Sequence, residues 1–162
     1  MLHNTYEGQT CSVARTLEVV GERWTLLILR DAFLGVRRFD DFQRSLGVAR
    51  NVLNTRLQRL VEAGLLERRL YQERPPRHEY RLTASGRDLW PALVALMHWG
   101  DRHFATESGP PLAIEHRGCG GAVDDRRVCT TCGAALEVWD VRALPGPGAD
   151  DAVRERLLAP AG

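Results

Sequence analysis

Four residues carry metal-ligand chemistry. His116 and Cys119 are separated by two residues, nine residues follow, and Cys129 and Cys132 repeat the spacing. Three thiolates and one imidazole complete a tetrahedral zinc shell. No coordination position is left open, so the set reads as a structural zinc site rather than a catalytic one. Gly120 and Gly133 follow the second ligand of each pair, as knuckle turns require. Two other readings stand beside zinc: a disulfide pair, which a reducing compartment disfavours, and a relic set that no longer binds metal. The remaining cysteine, Cys11, falls at the first turn of an expected helix, where the dipole favours a thiolate. It reads either as an oxidant-sensitive thiol or as a small buried residue near an interface.

A second group of residues has the chemistry of nucleic-acid readout. Asn pairs bidentately with adenine and Arg with guanine. Arg50, Asn51, Asn54, Thr55 and Arg59 are expected to read or position bases. Arg56, Arg74, Arg77 and His78 are expected to grip phosphates or the minor groove.

The elements that must position these side chains follow from periodicity. Leu53, Leu57 and Leu60 recur at i, i+4 and i+7, which predicts a helix over 49–63 with an apolar stripe inward. Asn51, Thr55, Gln58 and Arg59 lie opposite that stripe, and Gly64 supplies the stop. A short helix over 40–46 and a turn at Gly47 precede it. A hairpin follows, with strands near 65–71 and 78–82 and the Pro75-Pro76 loop between them. Short helix, turn, long helix and basic hairpin form the order of a winged helix-turn-helix. The bland alternative is a solvated helix beside a charged hairpin tip.

Flanking helices are expected over 12–20, capped by Thr10, over 24–34 as an apolar spine, and over 84–105. The apolar stripe of the last is wider than one small domain needs, which suggests a twofold interface. Trp24, Phe33, Trp90 and Trp99 are core aromatics or the lining of an effector pocket.

Composition narrows the function classes. All 22 basic residues are arginine, and the formal net charge is only +1. The distribution is uneven: residues 1–106 carry a net +4, residues 107–162 a net −3, and residues 36–81 alone +5. Cation is therefore concentrated where the DNA contacts are expected, as counterion release rewards. No apolar run is long enough to span a bilayer and the first ten residues do not read as a signal peptide, so a cytoplasmic protein without membrane contact is expected. The sequence also lacks a Gly-rich phosphate loop and any spaced catalytic triad or carboxylate pair, so no enzyme is expected.

The segments Cys11–Arg15, Gly21–Arg30, Arg38–Phe42, Asn51–Leu57, Glu62–Leu65 and Arg74–Thr83 together resemble the HxlR-type bacterial transcription regulators. The resemblance covers residues 10–105. It implies a MarR-like winged-helix homodimer on pseudo-palindromic operators, mostly repressing, with its groove helix at 49–63 and its wing at 71–78. It also implies that a cysteine at the position of Cys11 serves some members as a redox sensor. Arg50 departs from the proline common there in the family.

The expected fold is mainly α with a small β-wing: a winged helix-turn-helix domain over 1–106, a zinc-ribbon-like lobe over 112–142 and a flexible tail over 143–162, in which 151–158 can form a short helix. The expected function is that of a DNA-binding regulator, a homodimeric repressor on double-stranded DNA that answers a small-molecule or redox signal. The alternative is a protein-interaction adaptor that uses the zinc lobe, with the winged helix as scaffold.

Overall fold

The computed structural model describes Tyr6 and residues 8–158. The chain divides into two compact units, one ending at Arg87 and the other beginning at Asp88.

The first unit contains α1 (Ser12–Val20), α2 (Thr25–Phe33), α3 (Phe39–Leu46), α4 (Arg50–Glu62), β1 (Leu66–Gln72), β2 (Arg77–Leu82) and α5 (Ala84–Arg87). Its core is the stripe that the spacing of α4 predicts. Leu53 and Leu57 are fully buried and Leu60 nearly so, with Ile28, Leu29 and Phe42. Gly64 ends α4 at φ +72°, a left-handed conformation that favours glycine, and the Leu65 amide bonds back to the Leu60 carbonyl at 2.9 Å. Strands β1 and β2 pair antiparallel, with Leu66 opposite Leu82 and Arg68 opposite Tyr80. A third short stretch joins this wing: the Tyr80 amide donates to the Arg37 carbonyl at 2.8 Å, and Arg38 bridges to Glu79.

Three local expectations for this unit need revision. The cap of α1 is Cys11, whose Sγ accepts from the Ala14 amide at 3.3 Å; Thr10 lies outside. Trp24 is not helical, because it adopts a left-handed φ of 80° and α2 starts one residue later. Nor is α2 a spine buried all round: Leu27 is exposed, while Asp31 is fully buried. Asp31 accepts from Arg30 Nη2 at 2.7 Å and from the Ser45 hydroxyl, which ties α2 to α3.

The second unit contains α6 (Trp90–His103), β3 (Leu112–His116), a 3-10 turn (Val138–Asp140), β4 (Val141–Pro145) and α7 (Asp151–Leu158). The single helix expected over 84–105 is therefore two, interrupted at Asp88 and Leu89. Pro91 explains the break: it has no amide hydrogen to donate, and its ring would clash with the Arg87 carbonyl of a continuous helix. Strands β3 and β4 pair antiparallel from Leu112–Pro145 to His116–Val141. The expected boundary at 142 cuts through β4, and α7 packs against that strand. Residues 143–145 are thus strand rather than the start of a flexible tail, because β4 completes the ladder that β3 begins, and the short helix read over 151–158 is present as α7. The last four residues of that expected tail lie outside the described residues. No described helix is long and apolar enough to cross a membrane.

Candidate nucleic-acid interface and metal centre

The outward face of α4 carries Asn51, Asn54 and Thr55, all exposed. Thr55 donates to the Asn51 backbone carbonyl at 2.9 Å, a contact that involves neither carboxamide. Between α4 and the wing runs an open groove of about 460 Å³, lined by Phe39, Arg50, Asn51, Asn54, Arg68, His78 and Tyr80. Four residues expected at the interface converge there: Arg50, Asn51, Asn54 and His78. Arg74 and Arg77 stand apart on the exposed wing, and their guanidinium groups take no partner among the described residues. The carboxamide of Gln72 holds the loop between them by donating to the Arg74 carbonyl at 3.1 Å and the Pro75 carbonyl at 3.3 Å.

The run of cations in the hairpin does not by itself single out Arg68. Strand alternation from buried Leu66 places it on the same face as Leu70, with Tyr80 and His78 across the ladder. That face turns Arg68 toward α4, and period-two counting from Leu66 is the signal that could have found it.

The arginines of α4 are less free than their spacing implies. Arg50 donates to Asp40 at 3.0 Å and to Gln43 at 2.9 Å, and stacks over the Phe39 ring at 4.8 Å. Arg56 donates to Glu22 at 2.6 Å and its side chain is only 18% exposed. Arg59 reaches the other oxygen of Glu22 at 3.0 Å. Arg56 and Arg59 therefore lie outside the groove, on the flank of α4 that faces the α1–α2 turn.

The metal-ligand set assembles as its spacing requires. The ligand atoms of His116, Cys119, Cys129 and Cys132 all lie within 4.8 Å of one another. Cys119 Sγ is 3.3 Å from His116 Nδ1 and 3.4 Å from Cys129 Sγ, and Cys132 Sγ is 3.4 Å from the same Nδ1. Zinc–sulfur bonds of ~2.3 Å and a zinc–nitrogen bond of ~2.0 Å put tetrahedral neighbours about 3.5–3.8 Å apart, so the donors fit that ion. The two halves of the centre repeat one geometry. The Gly120 amide bonds to the His116 carbonyl at 2.8 Å and the Gly133 amide to the Cys129 carbonyl at 2.9 Å. Both glycines have φ +73°. The His116 amide then meets the Gly121 carbonyl at 2.8 Å, as the Cys129 amide meets that of Ala134 at 2.9 Å.

Two thiols of the cluster are shifted in opposite directions. The Cys132 amide, aided by that of Thr131 and opposed by burial, lowers Cys129 to about 6, which favours its thiolate. At Cys119 the Gly121 amide pulls downward, but hydrogen bonding with Cys129, burial and Cys132 outweigh it and raise that thiol. Around the centre, Val123, Cys129, Leu136 and Val141 are buried and form a small core.

Cys11 is exposed at the start of α1. Of the aromatic residues, Trp24 and Phe33 belong to the first unit and Trp90 and Trp99 to the second. Trp90 is buried, whereas Trp99 is half-exposed and stacks on His103 and Phe104 at 5.2 and 5.1 Å.

Comparison with known proteins bears on the family and the fold. A regulator of Mycobacterium tuberculosis, the uncharacterized HTH-type transcriptional regulator Rv3095, is 52% identical over 147 residues, covering 91% of this chain and 92% of its own. An alignment of that length takes in the metal-ligand region. PA1607, a candidate transcription factor, superposes with a TM-score of 0.67 at 41% identity, over 83% of this chain and 94% of its own. The redox regulator HypR in its reduced form matches at TM-score 0.54 and 31% identity, over 57% of this chain and 92% of its own. These relatives are regulators, not enzymes. The HxlR-like helix-turn-helix profile matches residues 19–108, more than half of the sequence, and the chain belongs to that family of DNA-binding transcriptional regulators.

Proposed function

We propose that the protein is a homodimeric repressor that inserts two copies of α4 into successive major grooves of a pseudo-palindromic operator. The groove between α4 and the wing carries the proposal, because it brings Asn51 and Asn54 beside the cations of Arg50, Arg68 and the wing. Asn51, Asn54 and Thr55 read base edges, and Arg74, Arg77 and His78 hold the backbone. Exposed apolar side chains supply material for a twofold contact: Val13 and Leu17 on α1, and Leu96 and Trp99 on α6. Selection of bound duplexes from a random pool tests this function. An enriched inverted repeat is expected; weak binding without enrichment would refute it.

The His116, Cys119, Cys129 and Cys132 centre holds one structural zinc, supported by the matched knuckles and the donor spacing. Regulation by a small molecule or an oxidant at Cys11 rests on the exposed position of that thiol and on the similarity to HypR. Treating the protein with an electrophile and finding operator affinity unchanged would remove Cys11 from the scheme. The adaptor alternative has one observation in its favour, the exposed Trp139 on the lobe. An adaptor would show no steep salt dependence of duplex binding.

A further inference from the structure

All three arginines of α4 are paired with a carboxylate from another element: Arg50 with Asp40, and Arg56 and Arg59 with Glu22. The Glu22 carboxylate is the most heavily used of these acceptors, with one oxygen on each guanidinium. Its place is set by a tight turn. Gly21 caps α1, the Thr25 amide bonds to the Glu22 carbonyl at 3.1 Å, and Trp24 holds a left-handed φ of 80°. A non-glycine residue in that conformation is costly and persists where the surrounding structure over-determines it. Arg56 also reaches the Arg23 carbonyl at 3.4 Å, so the turn and α4 are joined at two points.

Arg56 and Arg59 differ in what they can do. Arg56 is largely covered and fastens α4 to the turn, whereas the Arg59 side chain is 57% exposed. Arg59 lies five positions beyond Asn54, which puts them on opposite flanks of the outward face. The Asn54 flank faces the wing groove; the Arg59 flank is where the second backbone of a major groove would pass. Exposed ion pairs are weak, so a phosphate can displace the Glu22 carboxylate from Arg59.

We infer that Glu22 is a specificity-determining residue: it occupies Arg59 as an internal substitute for a phosphate and withholds that cation from non-operator DNA. The inference rests on the proposed DNA-binding function. On random sequence, where few base contacts form, Arg59 stays with Glu22 and one phosphate contact is lost. On the operator, the base contacts of α4 hold the helix in the groove long enough for a phosphate to replace the carboxylate. The result is a larger gap between specific and non-specific affinity, at the expense of some total affinity.

The test compares full-length wild type, Glu22→Gln, Arg59→Gln and the double variant. Each is titrated with the selected operator and with a scrambled duplex over a series of salt concentrations. Glutamine keeps the shape of Glu22 and an acceptor for Arg56 while removing the charge, and a thermal melt checks that the fold is kept. Glu22→Gln is expected to bind scrambled duplex several-fold more tightly, with a log–log salt slope steeper by about 0.9, the value for one added phosphate contact. Operator affinity rises less, so the specificity ratio falls. In the Arg59→Gln background the same substitution is expected to change neither slope nor ratio. Unchanged scrambled-duplex binding in Glu22→Gln overturns the inference, as does an equal gain with Arg59 absent, which would mark a general charge effect. A wild-type chain without salt-dependent duplex binding overturns the DNA-binding function itself, and that result is read before any variant is compared.

Discussion

Arg68 Nη2 lies 2.9 Å from His78 Nδ1, across two strands of the wing. Arginine has donors only, so in this contact Arg68 is the donor and the ring nitrogen of His78 the acceptor. The pair fixes a cation at the edge of the groove that also holds Asn51 and Asn54. Arg68→Ala is expected to weaken binding to operator and scrambled duplex by similar factors and to flatten the salt slope by ~0.9, as loss of one phosphate contact requires. A variant with an unchanged slope would place Arg68 outside the interface.

Asn51 and Arg77 should separate readout from grip. Asn51→Ala is expected to cost ~1–3 kcal/mol on the preferred operator and little on scrambled sequence, since a carboxamide pairs with one base edge. Arg77→Ala, on the exposed wing, should weaken all duplexes nearly equally. Binding curves on an operator series substituted one base pair at a time distinguish the two patterns. An altered base preference in Arg77→Ala would reverse the assigned roles.

What the sequence made legible was local. The leucines of α4 recur at helical spacing, and the repeated two-residue spacing of His116/Cys119 and Cys129/Cys132 marks both turns, so the helix and the clustering of those four side chains are visible without coordinates. The wing is visible because Pro75-Pro76 can only be loop. What was not legible depends on partners far away in the chain. Glu22 meets Arg56 and Arg59 across 34 and 37 residues, and β4 pairs with β3 across a segment that includes three of the four metal ligands. Periodicity therefore marks Arg56 and Arg59 as open cations, although Arg56 is mostly covered. The break at Pro91 was written in the sequence, but the apolar stripe on both sides of it masks the missing amide.

The core stripe offers a control on the first unit. Leu57 is fully buried in α4, so Leu57→Ala should cost ~2–5 kcal/mol through lost burial and a residual cavity. Denaturant unfolding followed at the winged-helix unit measures this. A cost under about 1 kcal/mol would mean that α4 is not packed as described.

Two glycines beside the metal centre should respond oppositely to substitution. Gly120 needs its left-handed φ, but nothing lies within 4 Å of an added Cβ. Asparagine tolerates that conformation, so Gly120→Asn should keep zinc. Gly121 is different: a Cβ there would lie 2.5 Å from Cys129 Sγ and 2.6 Å from Thr131 Oγ1. Gly121→Ala must displace a ligand and is expected to lose zinc, read as metal per chain after dialysis. Equal zinc content in both variants would show that the cradle does not constrain Cys129.

Removal of the metal should act on the lobe and spare the winged helix. Val123, Leu136 and Val141 are the lobe's buried aliphatic side chains, too few to hold it without a cross-link, whereas the first unit has its own leucine core. A strong chelator is therefore expected to release one zinc per chain, expose the amides of β3 and β4 to hydrogen exchange, and leave those of α4 protected. Cys132→Ser should reproduce the pattern without chelator, because it removes one thiolate and keeps the Gly133 turn. Retained protection of β3 and β4 after zinc release would show that the ladder stands on packing alone. Loss of protection in α4 as well would mean that the winged helix depends on the metal, contrary to the independent core that Leu53, Leu57 and Leu60 provide.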